Sequence, residues 1–457
     1  MGEYRYYPLN ASQEVLFLSR KYTIHKSIIN IPTLLLVHEK LNLDILETAV
    51  NESIQRWDSL GIRLTKKDGD TKQYFADREV ECVKRLDFTT TSRVEMEHTF
   101  KRLASKKLPI FDKPMARIYL VTSPEGYGGI FTVISHLIMD SWAISAFYRD
   151  IMNIYYHKLG QGEYPKEILP YEKVLQKEFE YQKSPAYEKA KMFWESEFSK
   201  DEPIYTHVNG SGVLEQYRKK RGKENSRASN GFFIKSTAAN DFYWVNKEDV
   251  EKFNDFIKDF KLPSMQTLFQ VALHTFLSKM NNGEEDISTY HNIARRSTIE
   301  EKKTGGTRAQ TLCYRNILDK NTTFLDACHQ LLSKQNEIYR HADLNSLEML
   351  KMQKSILNIK ENEGYYSVSM SFQLIPMKIK DNLEIETKWY SNGAVAIMLY
   401  INIMDGDGTG GLKCYYEYMS NHINADKIKE LHESMVKIIL MGCHNPKITL
   451  AEFFEVF

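Results

Sequence analysis

No apolar run in this 457-residue chain approaches the roughly 20 residues that a membrane-spanning helix needs, and the opening MGEYRYYPLN carries no apolar leader. A soluble, cytoplasmic protein with no membrane partner is therefore expected. Its five cysteines, Cys82, Cys313, Cys328, Cys414 and Cys443, are odd in number, far apart and without a C-x-x-C pair. That usage excludes a zinc ribbon and suits a reducing compartment. An excess of either charge is also missing: 61 Lys and Arg face 60 Asp and Glu, for a net charge of +1. Nucleic acid and anionic membrane surfaces are poor partners for such a balance. The chain lacks G-x-S-x-G, H-E-x-x-H and G-x-x-x-x-G-K-[ST], which removes a hydrolase elbow, a zinc-protease helix and a phosphate-cradling loop.

What is present is size and alternation. At this length and 42% hydrophobic content the chain exceeds what one core supports, so two lobes are expected. In the first half, Pro32 to Val37, Val80 to Leu86, Ala116 to Thr122 and Ile130 to Ile134 read as strands, and Leu43 to Trp57 and Glu95 to Lys106 as helices. A long helical region from about Tyr171 to Phe198 follows. The polar stretch Asp201 to Gly231 then reads as an exposed connection; its RKKRGK run, Arg218 to Lys223, is either a solvated loop or a docking patch for an acidic partner. The second half predicts helices at Lys247 to Phe260, Ser264 to Met280, Thr323 to Arg340 and Ala425 to Met441. Its strands fall near Asp286 to His291, Thr311 to Ile317, Tyr366 to Gln373, Glu384 to Tyr390, Ala394 to Ile401 and Leu412 to Tyr416, with DGDGTGG, Asp405 to Gly411, as a hairpin link. The fold class is α/β (α+β), with lobes at 1–175 and 176–457.

The most informative stretch is Ile130 to Tyr156. A buried strand ends near Ile134, and Ile144, Phe147, Tyr148, Ile151, Ile154 and Tyr155 recur at helical spacing, so a helix begins near Ser141 or Trp142. The junction carries Ser135, His136, Asp140 and Ser141, which puts one imidazole and one carboxylate at the end of a buried strand. The spacing H-x-x-x-D alone carries little, because it recurs at His422 and Asp426, where Asn424 or Asp426 reads as an ordinary helix start. From the local pattern His136 is equally a core histidine bonded to Asp140 or a site histidine facing a crevice. Asp58-Ser59-Leu60 has the look of a carrier-protein attachment site, but Arg56 stands where that motif wants glycine, and it is set aside.

Several separated segments, in one order, resemble the condensation domains of nonribosomal peptide synthetases, within the chloramphenicol acetyltransferase-like superfamily. YPLNASQEVLFL, Tyr7 to Leu18, is similar to the opening motif through Leu9 and Gln13, and RWDSLGIR, Arg56 to Arg63, to the second, with both arginines kept. FDKPMAR, Phe111 to Arg117, looks like the segment before the central strand, and SHLIMDSW, Ser135 to Trp142, resembles the active-site motif H-H-x-x-x-D-G. EDISTYHNIARR (Glu285 to Arg296), GTRAQTLCYR (Gly306 to Arg315) and VSMSFQ (Val368 to Gln373) are similar to later motifs. The departures are Ser135 for the first histidine, Ser141 for the glycine, and Gln310 and Ser371 where asparagine is frequent.

The resemblance implies two chloramphenicol acetyltransferase-like lobes in a V-shaped pseudo-dimer, with the active site where they meet, and a free-standing, monomeric member. It implies an acyl transfer in which an amine, or less readily a hydroxyl, attacks a thioester on the phosphopantetheine arm of a carrier protein, with no bound cofactor and no metal. The acceptor is a small-molecule amine or a second carrier protein. His136 is the expected base, Asp140 paired with Arg117 the expected scaffold, and Ser135, Ser141, Trp142, Gln310 and Ser371 the expected channel residues. Backbone N–H groups at the start of the Trp142 helix are candidates for the oxyanion. Two rivals are an acyltransferase using coenzyme A with a small acceptor, and a catalytically decayed module that docks carrier proteins, marked by Ser135 and Ser141.

Overall fold

Eight consecutive buried residues, Gly128–Ser135, form the strand around which the first part of the molecule is built. Ile130 and Ile134 pack on one face with Ile144 and Phe147 of the next helix, while Phe131 and Val133 pack on the other with Met96 and Phe100. Burial on both faces explains the continuous apolar run. The computed structural model describes residues 4–375, 377, 379, 380 and 383–456.

The chain forms two compact units. The first takes three stretches, Met1–Ser184, Ala294–Ala309 and Ile375–Ala394, and the second takes Pro185–Ile293, Gln310–Leu374 and Val395–Phe457. Where one boundary near residue 175 was expected, the chain thus returns twice to the first unit. The main division falls at Pro185, which also splits the long helical region into Tyr171–Tyr181 and Pro185–Phe198. Proline lacks the N–H that would continue a helix and disfavours helical backbone at the residue before it.

In the first unit a five-stranded sheet runs in the order Ile385–Trp389, Asn30–Val37, Gly128–Ser135, Ala116–Thr122, Cys82–Asp87, antiparallel except for the last pair. Helices Leu43–Arg56 and Ser141–Lys158 cover one face and Arg93–Ala104 the other. In the second unit a six-stranded sheet runs Gln310–Ile317, Asp286–Ile293, Val368–Gln373, Leu399–Asp405, Leu412–Met419, Ala238–Val245. Asp405 pairs with Leu412 across the DGDGTGG link, where Asp407, Gly408 and Gly410 take positive φ. Glycine reaches that region without a Cβ penalty, so the hairpin forms as expected.

The basic run is not a loop. Gly212–Arg221 is a helix that buries Leu214 and Tyr217 beside Tyr205, and Gly222 ends it at φ 62°. Four basic residues occupy its last turn, where cations oppose the helix dipole favourably. Among the described residues no helix is long and apolar enough to cross a membrane, and no cluster of His, Cys, Asp or Glu could hold a metal ion.

Candidate active site

His136 stands one residue past the end of the central strand. Its backbone N–H donates to Ile29 O at 2.7 Å, and Ile138 N donates back to Ser135 O at 3.0 Å, closing a tight turn. Asp140 then caps helix Ser141–Lys158, accepting from Ala143 N at 2.9 Å. The cap forms because an Asp side chain can satisfy an N–H that the first helical turn leaves unpaired. One helix start therefore fixes the register of the whole SHLIMDSW segment.

The ring of His136 is half-buried. Its Nδ1 lies 3.1 Å from Thr307 Oγ1, and its Nε2 makes no hydrogen bond to the described residues and is not sealed from solvent. Desolvation pushes the imidazole pKa below its ordinary 6.5, opposed by the Asp140 carboxylate and by a hydrogen bond to its own main chain. A ring in that state is neutral at neutral pH, with a lone pair available for a proton.

Asp140 does not pair with Arg117. Its carboxylate holds Arg296, with Nη2 3.0 Å from both oxygens and Nε 3.3 Å from Oδ2, and it also accepts from Arg308 N at 2.9 Å. Both side chains of the Asp140–Arg296 pair are almost completely buried, at 2% and 1% exposed. Arg117 instead pairs with Glu81 and donates to the carbonyls of Lys106 and Lys107. The reason is strand alternation. In Ala116–Thr122, Ile118 and Leu120 face the Ser141–Lys158 helix, whereas Arg117 shares the opposite face with Tyr119 and Val121.

Arg296 arrives on the Ala294–Ala309 segment, which brings a buried network with it. Arg295 and Arg308 both pair with Glu178, at 3.1 and 3.4 Å, and Arg308 also reaches Glu301 at 2.8 Å. Arg296 Nη1 donates to the carbonyls of Glu301 and Thr304, and Nη2 also lies within hydrogen-bond distance of the carbonyls of Gly305 and Gly306. With its lone pairs and protons satisfied in this way, a buried ion pair holds a defined geometry.

The remaining expected positions are divided between the two units. Ser135 is fully buried and accepts from Leu137 N at 3.3 Å. Trp142 donates its indole N–H to Lys302 O at 3.1 Å, which pins the ring over the same segment. Ser141 opens the helix beside it. The helix start expected to receive an oxyanion is met by Asp140 itself, so a second negative charge there would face the protein's own carboxylate. Gln310 and Ser371 belong to the second unit, where both are buried. Gln310 donates to the carbonyls of Ala342 and Leu344, and Ser371 bonds Asn402 at 3.1 Å and Tyr400 at 2.6 Å. The second H-x-x-x-D is a helix start as read, with Asn424 capping Ala425–His444.

The early motifs turn out to hold the turn in place. Gln13 donates to Leu137 O at 2.9 Å and Asn10 to Thr307 O at 2.9 Å. Arg56, Trp57 and Ser53 converge on Asp150, in the helix that Asp140 caps.

The sequence profile described as Condensation domain matches residues 3–455. Surfactin synthase subunit 1 of Bacillus subtilis is 23% identical over 464 residues, covering 98% of this chain and 12% of that protein. Gramicidin S synthase 2 of Aneurinibacillus migulanus is 21% identical over 470 residues, with 98% and 10% covered. The chain thus spans less than a fifth of the length of either relative. Among solved structures, the first condensation domain of the calcium-dependent antibiotic synthetase, in complex with a substrate analogue, aligns with a TM-score of 0.80 at 14% identity, over 98% of this chain and 99% of that one. A variant of the starter condensation domain of rhizomide synthetase, in complex with C8-CoA, aligns with a TM-score of 0.81 at 12% identity, over 98% and 96%. The fold is theirs, chloramphenicol acetyltransferase-like, and with the profile running from end to end the chain belongs to the condensation-domain family.

Proposed function

We propose that this chain forms an amide bond by acyl transfer, with His136 as the general base. An amine attacks the carbonyl of an acyl or aminoacyl thioester carried on the phosphopantetheine arm of a carrier protein. The C–N bond forms as the C–S bond breaks, the amine proton passes to His136 Nε2, and from there it reaches the departing thiolate. The observation that carries this assignment is a half-buried imidazole whose Nδ1 is engaged and whose Nε2 is not. A base kept neutral by its surroundings can take the proton near pH 7, and such a group typically contributes about 10²–10⁴-fold. Asp140 acts through the backbone: locked to Arg296 and Ala143 N, it fixes the turn that presents the ring.

A second donor class is favoured by one observation, the C8-CoA bound to the rhizomide starter domain. Coenzyme A ends in the same phosphopantetheine arm, so the same base would serve it. The test is a donor panel, carrier-bound acyl and aminoacyl thioesters against free acyl-CoA, with small amines as acceptors, for the wild type and His136→Ala. The proposal expects turnover with carrier-bound donors and a loss of about 10²-fold or more in the variant. Turnover confined to acyl-CoA would move the chain to the second donor class. No turnover with any donor, for wild type and Ser141→Gly alike, would refute the enzymatic assignment.

A further inference from the structure

We infer that Thr307 is a positioning residue that fixes the tautomer of His136, an inference resting on His136 being the base proposed above. A neutral imidazole accepts a proton at one nitrogen only if the other carries the hydrogen. Thr307 Oγ1 lies 3.1 Å from Nδ1, on the side of the ring away from the reacting nitrogen. Of the two ways to make this contact, only Nδ1–H donating to Thr307 Oγ1 leaves Nε2 as the acceptor that a base at that nitrogen requires.

The hydroxyl can play this part because its backbone has nowhere else to go. Thr307 is completely buried, 171 residues along the chain from His136. Its carbonyl accepts from Asn10 Nδ2 at 2.9 Å and from Tyr171 OH at 3.1 Å. On one side Gly306 O accepts from Asp140 N at 3.2 Å, and on the other Arg308 N donates to Asp140 Oδ2 at 2.9 Å. Two glycines let the segment lie this close: a Cβ on Gly305 would sit 2.1 Å from Ser59 Oγ, and one on Gly306, at φ +76°, 2.1 Å from Tyr171 Cε2. The acidic residue that orients the motif thus also orients the strap that holds the ring.

The test compares wild type, Thr307→Val, Thr307→Ser and His136→Ala. Nitrogen-15 spectra of histidine-labelled protein read the proton's position on the ring without any need for turnover. Wild type is expected to show Nδ1–H. Removing one ordinary hydrogen bond in Thr307→Val should shift the tautomer ratio toward Nε2–H by about 3–10-fold. kcat should fall in proportion to the Nδ1–H fraction that the spectra read, and by no more than that factor, with KM within about twofold, because only the competent fraction of enzyme changes. Thr307→Ser should restore both. A wild-type ring protonated at Nε2 overturns the inference even if the valine variant fails to fold. So does a folded valine variant with unchanged tautomer and kcat, and if His136→Ala then remains inactive the base itself stands. Full turnover in His136→Ala would overturn the base, and the positioning role with it.

Discussion

Replacing Arg296 with alanine should unfold the first unit far more readily than the same change at Arg117. Arg296 is 1% exposed, spends its guanidinium on both Asp140 oxygens and on four carbonyls, and leaves a buried carboxylate behind when removed. Breaking a buried pair from one side costs about 3–5 kcal/mol. For a unit of this size roughly 2–4 °C of melting temperature accompanies each kcal/mol, so the drop should be about 6–20 °C. Arg117 faces Glu81, which is 40% exposed, and such pairs contribute only about 0–1 kcal/mol. Thermal and urea unfolding followed by tryptophan fluorescence measure both variants, with Trp57, Trp142 and Trp389 reporting on this unit. Asp140→Ala and the Asp140→Ala/Arg296→Ala double variant complete a cycle, and the double variant should be little worse than either single one. Equal losses at Arg117 and Arg296, or simple additivity between Asp140 and Arg296, would refute the assignment of the pair.

Acid should act on the second unit, where burial lowers His207 and His432 to about 4 and His274 and His291 to about 3. Their folded pKa values lie below the ordinary 6.5, so unfolding takes up protons. Their contribution is complete above pH 6.5 and is lost as the pH falls from there toward 4, at up to about 1.4 kcal/mol per pH unit for each ring. Neither ring nitrogen of His274 has a hydrogen-bond partner among the described residues, so His274→Leu should flatten this slope between pH 7 and 5, and an unchanged slope would count against the buried neutral ring. Gly306→Ala should destabilise the first unit by about 2–5 kcal/mol, from the positive φ and the approach of Tyr171, and lower turnover through Thr307; an alanine variant with wild-type melting temperature would contradict this.

Much of the scaffold is legible in the sequence because burial leaves a periodic trace. Ala116–Thr122 matches its expected range to the residue, and the Ser141 helix start follows from the 3.6 spacing of Ile144, Phe147, Ile151 and Tyr155. Helix Ala11–Tyr22 escapes notice because Val15, Leu16, Phe17 and Leu18 are consecutive rather than periodic, although Asn10 and Gln13 form a capping box that could announce it. In Ser346–Ile356 only Ser346, Met349 and Gln353 are buried, too little apolar stripe to read. The partners of His136 and Asp140 lie beyond any local pattern. Thr307 and Arg296 come from more than 150 residues away, and nothing in GTRAQ says that its threonine meets an imidazole. Arg117 is different: its alternation with Ile118 and Leu120 already puts it on the wrong face of the strand to reach Asp140.

The central claim is that the His136 ring accepts the proton as the amide forms, and the pH dependence of kcat/KM tests it most directly. Because burial lowers this ring's pKa, the acid limb should turn over below pH 6.5, and in His136→Ala the residual rate should no longer follow that limb. An acid limb that survives unchanged in His136→Ala would contradict the account, whatever the size of the rate.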